Sequence, residues 1–250
     1  MKFTEVEEPI RGVPYTTPER GREIYDHVLR TKPGKCLELG FAHGVSLCYV
    51  AAALHELGRG HIDGVDLEGI TLDPSPEALL ARCGLSDFVT LHRERNSYTW
   101  FLKKKIEANS ANGVCRTEYD LCYIDGPKNW TIDGAAFFMV DKLLNPGGAI
   151  VFDDYSYAYG ALEGATDGIV HRELADDERL EPQIKAVFHL LVMQHPDYGE
   201  FEVVNEQWGW ATKTGGTGRE LRVRERIGLG PKLMRRLRRL RSGNPAVSRL

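Results

Sequence analysis

Along most of this chain short apolar runs, punctuated by glycine and proline, alternate with segments of helical spacing. The pattern predicts strands alternating with helices. A lead-in carries one expected helix over Pro18–Leu29, stopped by Pro33-Gly34. Then come a strand at Lys35–Leu39, a glycine loop at Gly40–Gly44, a helix at Val45–Leu57 and a strand at His61–Val65 ending on Asp66. Helices are expected at Glu77–Cys83, Trp100–Ala108 and Ile132–Leu144, with strands at Phe88–His92, Leu121–Ile124 and, after Asn145-Pro146-Gly147-Gly148, Ala149–Phe152. Ile184–Gln194 has helical spacing, and Phe201–Asn205 with Trp208–Thr212 reads as a closing hairpin. Residues 155–181 show no clean period and read as loops or a lid.

Such alternation predicts a doubly wound α/β fold: a mainly parallel, seven-stranded, Rossmann-like sheet covered on both faces, its terminal hairpin supplying an antiparallel strand. Three regions are expected: a lead-in or lid over residues 1–33, a ligand-binding domain over 34–213 and a basic tail over 214–250. At 250 residues one sizeable core is affordable in surface terms. The acidic N-terminus lacks the apolar stretch of a signal peptide, and no apolar run has the length of a membrane span. The five cysteines are scattered without a C-x-x-C pair, which argues against a disulfide framework or zinc site and for a cytoplasmic protein.

The net charge of −4 is uneven: eleven Lys and Arg against two Glu put +9 on residues 217–250, leaving −13 on the rest. An acidic body argues against nucleic acid as a partner. In the tail, Leu233, Leu237 and Leu240 recur at helical intervals among arginines. Such a stripe suits an anionic membrane surface, an acidic partner or the acidic body of the protein itself; a solvated tail is the alternative.

Candidate chemistry lies at the strand ends, where open parallel sheets bind their ligands. Gly40 and Gly44 allow a tight turn into a helix whose free N–H groups suit an anionic group. The spacing departs from the G-x-G-x-x-G that seats a dinucleotide pyrophosphate, which disfavours an NAD-dependent oxidoreductase. Asp66, closing the second strand, is placed for ribose hydroxyls. Two further strands end in carboxylates, Asp125 on one and Asp153-Asp154 on the other, with Lys128 three residues after the first. Brought to one rim, these acids could hold a hard divalent cation beside a base; capping of the next turn is the simpler role for Asp153-Asp154. Trp130, Tyr155, Tyr157 and Tyr159 are expected as an aromatic wall, Tyr15 as a lid residue, and His43 as a packing residue or fallback base.

The ordered set LELGFAHGVS, VDLE, IDGPK, LLNPGG and VFDD, over roughly residues 34–154, resembles the class I S-adenosylmethionine-dependent methyltransferases. It is most similar to the metal-dependent small-molecule O-methyltransferases, the catechol and caffeoyl-CoA group with its bacterial relatives. The resemblance implies that Glu38, Gly40, Gly44 and Ser46 surround the methionine end of S-adenosyl-L-methionine, with Ser46 on its carboxylate. It further implies Asp66 on the ribose, Asn96 or Ser97 near the adenine, and Asp125 and Gly126 bordering it. Asp125, Asp153 and Asp154 become ligands for Mg²⁺ or another divalent cation, and Lys128 the catalytic base once its pKa is lowered. Two positions depart from the pattern. Asp154 stands where Asn is usual, and Gly126 where a larger side chain often packs on the adenine. The expected activity is transfer of a methyl group to a hydroxyl of a small metabolite, a phenol or a sugar of a natural product. A homodimer is a further expectation. The alternatives are a metal-independent methyltransferase and a non-catalytic binding protein on the same fold.

Overall fold

The structure, a computed structural model, describes residues 1–160, 173–215 and 224–226. Two helices, α1 (Phe3–Ile10) and α2 (Pro18–Thr31), precede β1 (Lys35–Leu39), α3 (Val45–Leu57), β2 (His61–Leu67), α4 (Pro76–Cys83) and β3 (Val89–Glu94). Then follow α5 (Tyr98–Asn109), a two-residue hairpin of β4 (Ser110–Ala111) and β5 (Val114–Cys115), β6 (Tyr119–Ile124), α6 (Trp130–Asp141) and β7 (Leu144–Phe152). The chain closes with α7 (Asp176–Leu180), α8 (Gln183–Val187), a π-helical turn at Phe188–Val192, β8 (Tyr198–Val204), β9 (Trp208–Lys213) and β10 (Arg224–Arg226).

The main sheet has the order β10-β8-β9-β7-β6-β1-β2-β3. Pairing is parallel from β3 through β7, and β9 alone runs antiparallel, between β7 and β8. This is the expected doubly wound fold with one correction: eight strands among the described residues rather than seven. The extra strand, β10, lies in the stretch assigned to the basic tail. It pairs parallel to β8, with Arg226 bonded to Glu202 and Glu23. The stripe Leu233, Leu237 and Leu240 lies outside the described residues.

Local chemistry accounts for the element starts near the site. Thr17, Ser75 and Asn129 accept backbone N–H bonds as N-caps of α2, α4 and α6, and Pro18 and Pro76 occupy first-turn positions where no N–H is needed. α3 differs: its N-cap is Gly44 in the left-handed region, with no side-chain cap, so its first N–H groups stay open to a ligand. The core has two apolar layers. One, against α1 to α4, holds Tyr49, Leu47 and Val28; the other, against α5, α6 and α8, holds Phe137, Phe152 and Tyr198.

The lead-in differs from expectation. α1 was hidden by its acids and Pro9, yet Phe3, Val6 and Ile10 are buried, and Phe3 stacks on Tyr49 with ring centroids 5.2 Å apart. Ile184–Gln194 is a short α-helix running into a π turn, and part of the loop after Phe152 forms α7.

Candidate active site

At the carboxyl ends of β1, β2, β6 and β7 lies a cavity of about 430 Å³. Of the residues expected to bind cofactor or metal or to act as base, all line it except Glu38 and Gly44. Gly44 is the N-cap of α3.

Gly40 has φ +88°, and a Cβ there would overlap the carbonyl oxygen of Asp125 and lie 2.8 Å from its carbonyl carbon. The glycine therefore lets two strand ends meet at the cavity floor. Asp66 holds the loop: Oδ2 accepts from Phe41 N at 3.0 Å and Ala42 N at 2.8 Å, and Oδ1 from Leu67 N at 2.7 Å. One lone pair of Oδ1 is left over for a hydroxyl.

Glu38 is fully buried beneath the loop. Its Oε1 accepts from Ser46 Oγ at 2.5 Å, while Oε2 has no hydrogen-bond partner. Burial pushes this carboxyl well above the usual range; Ser46 opposes the rise, and the carboxylates of Asp125, Asp66 and Asp153 add to it. A buried acceptor left open in this way calls for a donor, and the ammonium of an amino-acid group would supply one. The hydroxyl proton of Ser46 is already committed to Glu38. A ligand carboxylate is better served by the open N–H groups at the start of α3.

At the opposite wall, Lys128 Nζ donates to Asp125 Oδ1 and to Gly126 O at 2.8 Å, and stands 3.4 Å from Asp154 Oδ2. Burial works against its charge, but Asp125, Asp154 and Asp153 outweigh it and hold the ammonium above the ordinary lysine range. The expected lowering of the Lys128 pKa is not met, because its neighbours are carboxylates rather than cations. Burial likewise raises Asp125 to about 8, with Lys128 opposing and Asp153 and Asp154 reinforcing.

Asp153 is buried and saturated on one side. Its Oδ1 accepts from Asp154 N at 2.7 Å, Gln207 Nε2 at 2.5 Å and Trp208 Nε1 at 2.7 Å, and its Oδ2 accepts from Tyr123 Oη at 2.5 Å. The carboxylates of Asp125, Asp153 and Asp154 were expected to ligate a divalent cation. No group of three His, Cys, Asp or Glu among the described residues is arranged to hold one. Lys128 fills the space between Asp125 and Asp154, and hydrogen bonds engage Asp153. A divalent cation at these three aspartates is therefore not shown.

The aromatic lining is also different. None of Trp130, Tyr155, Tyr157 and Tyr159 is on the cavity wall. Tyr155 is buried, its hydroxyl bonded to His189 Nε2 at 2.6 Å, and Trp130 borders a separate acidic hollow with Asp177, Glu178 and Glu181. Tyr159 donates to Pro127 O at 2.5 Å, with Tyr157 edge-on to it. The rings that do line the cavity include Tyr15 and Tyr98. Tyr15 lies 5.6 Å from the His43 ring, which puts the expected lid residue on the wall. Tyr98 bonds to buried Asp133 and occupies the place that a side chain on residue 126 would need: a Cβ there would lie 2.9 Å from Tyr98 Cε1. Sequence reasoning missed Tyr98, Asp133, Arg20 and Gln207. Gly126 was the one visible signal, since its missing side chain implies a neighbour in its place.

Residues 37–155 match the family model described as a methyltransferase domain. A search of curated proteins gives no match. Among solved structures, the chain is similar to the O-methyltransferase from Bacillus cereus in complex with SAH. That match has a TM-score of 0.60 and 18% identity, over 85% of this chain and 92% of that one. It is similar to the O-methyltransferase TomG from Streptomyces achromogenes, involved in tomaymycin synthesis and in complex with SAM, with a TM-score of 0.57 and 18% identity over 85% and 89%. A third is the MycE methyltransferase of the mycinamycin biosynthetic pathway, in complex with Mg, SAH and mycinamycin VI. There the TM-score is 0.55 at 16% identity, over 87% of this chain and 56% of that one. The chain thus shares the fold of these methyltransferase structures and matches a methyltransferase-domain family model over residues 37–155.

Proposed function

We propose that this protein transfers a methyl group from S-adenosyl-L-methionine to a hydroxyl of a small metabolite, a phenol or a sugar of a natural product. One observation carries the reading. A single cavity has the open N-terminus of α3 at its base, with the unpartnered Glu38 oxygen buried beneath the glycine loop, and the Asp125–Lys128–Asp154 cluster on its wall. The first pair suits an amino-acid carboxylate and ammonium, and Asp66 suits a ribose hydroxyl. Tyr98 with Ser97 would border the adenine, in place of a side chain at residue 126. The similar structures in complex with SAM or SAH support this assignment.

S-adenosyl-L-methionine supplies an electrophilic methyl group on a sulfonium. The protein's part is to align an acceptor oxygen with it and to manage one proton, and alignment alone is worth on the order of 7–11 kcal/mol. Lys128, held charged by its neighbours, would hydrogen-bond the acceptor oxygen and stabilise the negative charge that develops there. Asp125 and Asp154 flank the ammonium and would receive the hydroxyl proton. Burial raises Asp125 to about 8, so its ionised, proton-accepting fraction grows as the pH rises from neutrality through that value.

A second reading adds a divalent cation. It is favoured by the three acidic strand-end residues and by MycE, whose structure contains Mg. It requires Lys128 to leave its place between Asp125 and Asp154. A cytoplasmic location is part of this proposal, and the buried free thiols Cys36, Cys48, Cys83 and Cys122 suit a reducing compartment.

Calorimetric titration with SAH, before and after EDTA treatment and with added Mg²⁺, tests both readings. Saturable SAH binding that is weakened by Asp66→Asn, together with labelled methyl transfer to a panel of catechols and glycosides, supports the transferase. Absence of SAH binding overturns it. Activity lost with EDTA and restored by Mg²⁺ would select the second reading.

A further inference from the structure

The two strand-end aspartates are gripped by a residue from the far end of the chain. Gln207 sits in the turn between β8 and β9. Its Nε2 donates to Asp153 Oδ1 at 2.5 Å and to Asp154 Oδ1 at 2.7 Å. Its Oε1 accepts from Arg20 Nη2, and its backbone carbonyl accepts from Tyr155 N at 2.8 Å. The amide orientation follows from the partners alone, because carboxylates only accept and a guanidinium only donates. Arg20 belongs to α2, and its Nη1 stands 3.9 Å from Asp154 Oδ1. With Pro14, Tyr15 and Thr16 it forms the N-terminal wall of the cavity. Asp154 itself has φ +53°, an uncommon conformation for a non-glycine residue that the surrounding bonds must hold.

We propose that Gln207 is a positioning residue: it fixes the carboxylates of Asp153 and Asp154 opposite Lys128 and, through Arg20, ties the Pro14–Arg20 wall to them. Only an amide meets all three demands, since it offers two N–H groups to two carboxylates and an oxygen to a guanidinium. Glutamate would set a third carboxylate against the pair, and leucine would make none of the bonds. A ligand in the cavity touches both the wall and the aspartate cluster, so tightening one must tighten the other, and the coupling is reciprocal. Only the choice of SAH as the probe rests on the function proposed above.

The test compares wild type, Gln207→Leu, Gln207→Glu, Arg20→Gln, Arg20→Lys and the Arg20→Gln/Gln207→Leu double variant, all in the full chain. Thermal unfolding checks the fold, amide hydrogen exchange reads residues 14–20, and calorimetry reads SAH affinity. Gln207→Leu and Arg20→Gln should each speed exchange across 14–20 and weaken SAH by about fivefold or more. The double variant should be no worse than Gln207→Leu alone, and Arg20→Lys, which keeps a long cationic donor where glutamine has a shorter neutral amide, should recover much of the loss. Folded Gln207→Leu with wild-type exchange, additive single effects, or an Arg20→Lys variant as poor as Arg20→Gln would each overturn the proposal. If Gln207→Leu does not fold, the same comparison is made with Gln207→Glu. If wild type fails to bind SAH, the functional reading falls, while the exchange data still decide whether Gln207 ties the wall to the aspartates.

Discussion

Gly40→Ala is the change whose cost can be worked most directly from the structure. The residue has φ +88°, and its backbone is pinned on both sides: Gly40 N donates to Val65 O at 2.8 Å, and Asp125 N donates to Leu39 O at 2.8 Å. A left-handed alanine costs about 1–2 kcal/mol. Overpacking adds typically about 1–3 kcal/mol, and here the new methyl meets backbone atoms of Asp125, which cannot rotate away. The reduced entropy of the unfolded alanine chain returns about 0.4–1 kcal/mol. The net loss is about 1–5 kcal/mol, and at roughly 2–4 °C per kcal/mol for a chain of this size the melting temperature should drop by about 2–20 °C. Gly58→Ala is the control: it also has positive φ, but a Cβ there meets nothing within 4 Å, so only the conformational cost applies. Urea unfolding and scanning fluorimetry on both variants, with SAH titration, make the measurement. Gly40→Ala should lose more stability than Gly58→Ala and also weaken SAH, because relief of the overlap moves the loop. Equal losses in the two variants would refute the close-approach argument.

Other outcomes follow from the same geometry. Lys128→Ala should lower methyl transfer by on the order of 10²-fold or more while SAH affinity stays within about threefold, checked by single-turnover transfer and calorimetry. Tyr98→Phe should cost about 1–3 kcal/mol in urea unfolding, because Asp133 is buried and loses its hydroxyl donor while keeping the Asn129 N–H at 2.7 Å. His27, packed on Trp210 with ring centroids 4.4 Å apart, has its pKa lowered from 6.5 to about 4 by burial, with Arg30 adding to the effect. The fold therefore favours neutral His27. Its contribution is complete above pH 6.5 and is lost as the pH falls from there towards 4, with a ceiling of about 3 kcal/mol. Stability measured across that window should fall less steeply in His27→Gln.

Local patterns carried most of the fold. The central strands β1, β2 and β6 are short apolar runs bounded by glycine or an acid, and the caps Thr17, Ser75 and Asn129 stand at helix starts. α1 was missed because burial of Phe3, Val6 and Ile10 depends on α3, far along the chain, while Pro9 and the acids argued locally against a helix. The eighth strand was missed for a similar reason. Arg224–Arg226 has no strand-like alternation, and it is fixed by β8 and by the Arg226 bonds to Glu202 and Glu23.

The site divides along the same line. By itself the sequence determined that glycines and acids follow particular strands, and in a parallel sheet every such strand end faces one rim. Gly40, Asp66, Asp125 and Asp153 could therefore be placed together from order alone. Only the tertiary structure decided what those groups do to one another. Lys128 is held charged by three carboxylates, Ser46 is committed to Glu38, and Asp153 is engaged by Tyr123, Trp208 and Gln207. It also decided which aromatic rings reach the cavity. Linear spacing sets which residues share a strand end, whereas charge state and hydrogen-bond commitment depend on neighbours such as Gln207, whose nearness to Asp154 comes from the antiparallel return of β9 beside β7.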